Sequence, residues 1–99
     1  MYIVKETPEF KAWITGLRDV PTQLRLARRL KKASTGNLGD VKSVGEGVHE
    51  MREFFGPGWR LYFTLRGDIL VIMLGGGDKS SQTADIAKAQ QLASTIGTE

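Results

Sequence analysis

Residues 47–74 read GVHEMREFFGPGWRLYFTLRGDILVIML, and the fold turns on how they are divided. In WRLYFTLR (59–66), Trp59, Leu61, Phe63 and Leu65 alternate with Arg60, Tyr62, Thr64 and Arg66. Side chains point to opposite faces along a strand, so this segment is predicted to be a strand with one apolar face. The run ILVIML (69–74) is apolar at every position, as a central strand covered on both faces should be. Gly56-Pro57-Gly58 and Gly67-Asp68 are turn signals, too short for a crossover connection. An antiparallel meander follows, with VHEMREFF (48–55) entering it. Upstream, VKSVGE (41–46) adds one more strand, and Gly45 and Gly47 bracket a tight turn.

Outward from the meander the period changes. YIVKE (2–6) reads as a short opening strand. Thr7, Pro8 and Glu9 then supply an N-cap, a proline at the first helical position and an early acid. Phe10, Trp13, Ile14 and Leu17 follow on one helical face. A second helix begins near Val20-Pro21, with Val20, Leu24, Ala27, Leu30 and Ala33 predicted to face inward. STGNLGD (34–40) stops it through Gly36 and Asn37. Ile86, Ala89, Leu92, Ala93 and Ile96 mark an amphipathic last helix. The order β-α-α-β-β-β-β-α over 99 residues predicts a single α+β domain, residues 1–99. Its two N-terminal helices pack on a small antiparallel sheet to close one core, and a short C-terminal helix follows.

Composition narrows the chemistry. The chain has no cysteine, which removes disulfides, thiolate metal sites and cysteine nucleophiles together. One histidine, His49, with no paired-ligand spacing, argues against a metal centre. Serine-hydrolase patterns are missing as well. The N-terminus lacks the layout of a signal peptide, and the apolar run 69–74 is far too short to span a bilayer, so a cytoplasmic protein without a membrane partner is expected. Net charge is +3, and residues 20–38 hold five basic side chains (Arg25, Arg28, Arg29, Lys31, Lys32) and no acid. That helix face is either solvated or a footprint for RNA or an acidic protein. Arg28 and Lys32, with Lys42, are the candidate RNA-contacting residues outside the centre described next.

GGGDKSS (75–81), between the apolar strand and the last helix, has the layout of a phosphate-cradling loop. A P-loop would need glycines at positions 78 and 73, where Asp78 and Met73 stand, so nucleotide hydrolysis is excluded. Ser80 or Ser81 is predicted to cap the last helix, the glycines to let something approach the backbone, and Asp78 to pair with a nearby cation. Glu50 and Arg52 share a strand face, Arg60 opens the next strand across the Gly-Pro-Gly turn, and Lys79 ends the strand after it. In a meander these converge at one end of the sheet. Such a cluster suits phosphodiester chemistry on RNA, whose 2′-hydroxyl is the nucleophile. The protein must align that hydroxyl and neutralise charge growing on the phosphate, work for arginine and lysine. A carboxylate or an imidazole handles the proton.

The stretches FKAWITGLRD, RLARRL, GNLGDVKSVGEGVHEMREFFGPGWRLYF and MLGGGDKSSQTADIAKA resemble the HigB-type addiction-module killer proteins of the RelE/ParE toxin superfamily, from about Phe10 to Ala93. The resemblance implies two helices on a curved antiparallel sheet. It also implies a toxin of a type II toxin–antitoxin system, an mRNA endonuclease that acts in the ribosome and inhibits translation, neutralised by a cognate antitoxin and needing no cofactor. Arg52, Arg60 and Lys79 match the positions that orient the phosphate in RelE-like toxins. Asp85 stands where RelE has a catalytic tyrosine, and Glu50 where it has a lysine. Asp85 and Glu50 are therefore the candidate acid and base, with His49 behind them. The same fold also serves ParE-like gyrase inhibitors and would serve a non-catalytic antitoxin-binding module.

Overall fold

A computed structural model of the chain describes residues 1–96. Its elements are β1 (Ile3–Glu6), α1 (Pro8–Thr15), α2 (Val20–Ser34), β2 (Val41–Gly45), β3 (Val48–Glu53), β4 (Trp59–Arg66), β5 (Leu70–Asp78), a single 3-10 turn (Lys79–Ser81) and α3 (Gln82–Thr95). The turns do what their residues require. Glu46 and Gly47 both hold positive φ, 56° and 74°, in a two-residue hairpin whose twist suits the flanking strands. β2, β3, β4 and β5 pair antiparallel in succession.

The sheet as a whole is mixed, which corrects the all-antiparallel expectation. β1 pairs with β5 in parallel, Ile3 opposite Leu70 and Glu6 opposite Met73, giving the order β1-β5-β4-β3-β2. As the last strand of the meander, apolar β5 would otherwise be an open edge. Thr7 fixes the direction of its cover. Its N–H and hydroxyl both donate to the Met73 carbonyl, at 3.1 and 2.8 Å, while the hydroxyl oxygen accepts from the Phe10 N–H and caps α1. β1 must therefore end where α1 begins, above the glycine end of β5.

Helices cover both faces, so there are two cores where one was expected. Phe10 and Ile14 of α1 and Leu26, Leu30 and Ala33 of α2 pack with Met51, Leu61, Phe63, Val71 and Met73. On the other face Ala89 and Ala93 of α3 pack with Val48, Tyr62 and Leu74. The inward face of α2 also departs from expectation. Leu30 and Ala33 are buried as predicted, but Val20 and Leu24 are more than half exposed, Ala27 lies outside, and Thr22, Leu26 and Arg29 take the inward positions. Arg29 sets this rotation. Its guanidinium donates to the carbonyls of Leu38, Asp40 and Arg52 and pairs with Glu53. A predicted member of a solvated basic face is thus a buried clamp.

Gly75, Gly76 and Gly77 form no loop; they continue β5 opposite Tyr62, Leu61 and Arg60. A bulge at Leu74 precedes them, since Phe63 pairs with Met73 and Tyr62 with Gly75. The glycines serve close approach, as the sequence suggested. A Cβ on Gly76 would lie 2.4 Å from the Trp13 ring, and one on Gly77 1.9 Å from Asp85 Oδ2, whereas one on Gly75 would meet nothing within 4 Å. The indole packs against Phe10 and Trp59, contacts that a shift of the ring would disturb. Gly76→Ala should therefore cost about 1–3 kcal/mol in urea unfolding, the usual range for overpacking, while Gly75→Ala stays near wild type. Equal losses at both positions would refute this reading. Among the described residues, no helix is long and apolar enough to cross a membrane.

Candidate functional site

The register of β3 against β4 assembles most of the expected residues. Arg52 lies opposite Arg60, and Glu50 opposite Tyr62. Lys42 on β2 lies opposite Glu50. Strand alternation places Lys42, Glu50, Arg52, Arg60 and Tyr62 on the face that carries α3. Lys79 joins them from the 3-10 turn beyond β5. A Cβ on Gly58, where φ is 85°, would lie 3.4 Å from Lys79 Cβ and 3.6 Å from Arg60 Nη1. The Gly-Pro-Gly turn thus brings the lysine stem and the Arg60 guanidinium to one spot.

Arg60 is only 6% exposed, and its neighbours explain how a cation sits there. Nη1 donates to the Trp59 carbonyl at 3.1 Å, and Nε lies 3.8 Å from Glu50 Oε1. Glu50, 1% exposed, accepts a hydrogen bond from Gln82 Nε2 at 2.8 Å. Its carboxylate is buried among these neighbours. Glu50, set out as a candidate for proton transfer, thus faces Arg60 from a buried position. The Tyr62 hydroxyl is buried beside Glu50. Burial first, and the Glu50 charge second, push its pKa well above the ordinary value, so the phenol stays neutral.

Arg52 is held by Asp40, Nη2 to Oδ1 at 3.0 Å. Its backbone N–H donates to the Asp40 carbonyl, which also accepts from Arg29. This explains GNLGD: the loop wraps the Arg29 guanidinium and presents Asp40 to Arg52. Gly39 is required because a Cβ there would lie 2.8 Å from Arg29 Nη2. The Nε atoms of Arg52 and Arg60 are both buried and unpartnered. Arg60 Nε faces Glu50 Oε1, and a third arginine, Arg66, has a buried Nε of the same kind. Phe54, which the sequence reading passed over, lies beside both, its ring centroid 5.6 Å from the Arg52 guanidinium carbon and 5.7 Å from that of Arg60.

The remaining expected residues are arranged differently. Asp85 accepts from Ser81 Oγ at 2.5 Å and lies against Gly77. It lines a cavity of about 640 Å³ between α1 and α3, with Trp13, Lys88 and Leu92. Among the described residues Asp78 pairs with no cation; it accepts from Ser80 N at 2.8 Å and from the Ser80 hydroxyl, capping the 3-10 turn. Those hydrogen bonds lower its carboxyl below the ordinary range. Ser81 occupies the cap position of α3 without making a side-chain cap, because its hydroxyl serves Asp85. His49 stacks on Phe63 at 5.3 Å on the opposite face of the sheet, away from the arginines. Arg28 and Lys32 also lie across the sheet, on α2, around a pocket of about 240 Å³ with Arg25, Arg29 and Glu53. They form a second basic surface, and Lys42 alone of the three outlying cations shares the face of Arg52 and Arg60. Among the described residues no three His, Asp or Glu side chains gather to hold a metal ion.

No family model and no solved structure matches the chain. A protein of Haemophilus influenzae described as "Uncharacterized protein" is 39% identical over 94 residues, which is 95% of each chain.

Proposed function

The chain belongs to one family with that Haemophilus influenzae protein, and we propose that it is a HigB-type toxin of the RelE/ParE superfamily that cleaves mRNA on the ribosome. The observation that supports this most is the convergence of Arg52, Arg60 and Lys79 at one sheet end. A cluster of this kind fits a phosphodiester. The 2′-oxygen of the RNA bonds to phosphorus as the bond to the 5′-oxygen breaks. Arg52 and Arg60 donate to the non-bridging oxygens, and Lys79 offsets the charge that grows on them. Of the two carboxylates set out as acid and base, Asp85 lines an open cavity while Glu50 is buried, so Asp85 is the one to test for proton transfer.

A cognate antitoxin belongs to the same proposal. The exposed cations of α2 offer a docking surface for an acidic segment that folds on binding. The test is induced expression in cells with mapping of mRNA 5′ ends. Wild type should arrest growth with in-frame cuts, and Lys79→Ala should lower cutting by about 10²–10³-fold, the usual cost of removing one transition-state donor. Arrest with intact mRNA and trapped gyrase–DNA breaks would overturn the ribonuclease reading in favour of a gyrase poison.

A further inference from the structure

We propose that Phe54 is the platform on which a nucleobase of the RNA stacks, an inference that rests on the ribonuclease reading above. Phe54 and Phe55 are consecutive, and at the end of β3 their side chains diverge. Phe55 packs against the helical core and is covered by the Arg25 guanidinium, 3.9 Å from its ring centroid. Its place is explained by packing. Phe54 has no such explanation: it is 74% exposed. A single exposed aromatic is ordinary on a protein surface. The setting of this one is not, because its ring lies beside the guanidiniums of both Arg52 and Arg60.

The distances matter. At 5.6 and 5.7 Å the Arg52 and Arg60 guanidiniums approach the ring without the covering contact that Arg25 makes with Phe55. Most of the ring therefore remains open while the cations stay within reach of a phosphate. A single-stranded RNA that places a phosphate on Arg52 and Arg60 carries its adjoining base past this ring. Stacking on an aromatic face tolerates any base, since every base has a π-face, and cations beside the strand reinforce it. The turn after Phe54 is built from Gly56, Pro57 and Gly58, with positive φ of 56° and 85° on the two glycines, and Phe54 stays exposed beside it. Phe54 is on this account a positioning residue: it orients the nucleotide, while the arginines and Lys79 act on the phosphate.

The experiment measures binding of purified protein to a short single-stranded RNA with 2′-O-methyl riboses, which cannot be cut. A matched oligomer with abasic residues is the second probe. Phe54→Ala should weaken binding to the base-bearing RNA by about 5- to 100-fold, the span expected of one stacked base. Phe54→Trp should retain binding, and wild type and Phe54→Ala should bind the abasic oligomer alike. Unchanged binding in Phe54→Ala, or an equal loss on the abasic oligomer, overturns the inference. Salt-sensitive binding that is weakened by Lys79→Ala but indifferent to Phe54 sinks the inference alone. No salt-sensitive binding by wild type, together with intact mRNA in cells, sinks the ribonuclease reading and the inference with it.

Discussion

Arg60→Ala is expected to abolish RNA cutting and to weaken the fold, and the two losses can be separated. In the proposed mechanism Arg60 donates to the phosphate, so its removal should lower cutting by about 10²–10³-fold. It is also the cation beside Glu50, a carboxylate 1% exposed. Deleting one partner of a buried pair leaves an uncompensated charge and costs about 3–5 kcal/mol. The double variant Glu50→Gln with Arg60→Ala removes that charge and should recover most of the stability in urea unfolding. It should not recover cutting. A double variant that folds and cuts like wild type would reduce Arg60 to a structural residue.

Arg29→Ala should produce the largest loss of stability on α2, about 3–5 kcal/mol, because it strands Glu53 and removes donors from three carbonyls of the chain. Arg28→Ala, an exposed neighbour in the same helix, should stay within about 0.5 kcal/mol of wild type. Arg29 orders residues 37–40, so its loss should also free Asp40 from Arg52 and speed amide hydrogen exchange in that loop. Equal, small effects of Arg28→Ala and Arg29→Ala in urea unfolding would contradict the buried-clamp description.

The parts of the fold legible in the sequence are those set by neighbours along the chain. Gly45 and Gly47, the Gly-Pro-Gly turn and the alternation of Trp59 to Arg66 carry local requirements, and the meander follows from them. Thr7 capping α1 is local too. The parallel pairing of β1 was not legible, because its partner lies at the far end of the chain and β1 is short. The rotation of α2 was hidden for another reason. Hydrophobicity ranks Val20 and Leu24 above an arginine, yet Arg29 is buried because distant carbonyls satisfy it. The site follows the same division. Arg52 opposite Arg60 follows from the length of one turn, and Lys79 from one further strand. Glu50 as a buried carboxylate and Gln82 as its partner depend on where α3 lies over the sheet. Phe54 left one signal: two adjacent aromatics at a strand end cannot both point into the same core.

The pairing of β1 with β5 has a consequence in time. Ile3 leaves the ribosome early and finds Leu70 only much later, with synthesis advancing at roughly 5–20 residues per second. Until then α1 lacks the strand it packs on, and the cations of β3 and β4 lack Lys79 and Gln82. A nascent chain therefore carries its basic helix from early on but completes the cluster of Arg52, Arg60 and Lys79 last. For a protein proposed to act on translating ribosomes, this order keeps the unfinished copy harmless to the machine that is making it.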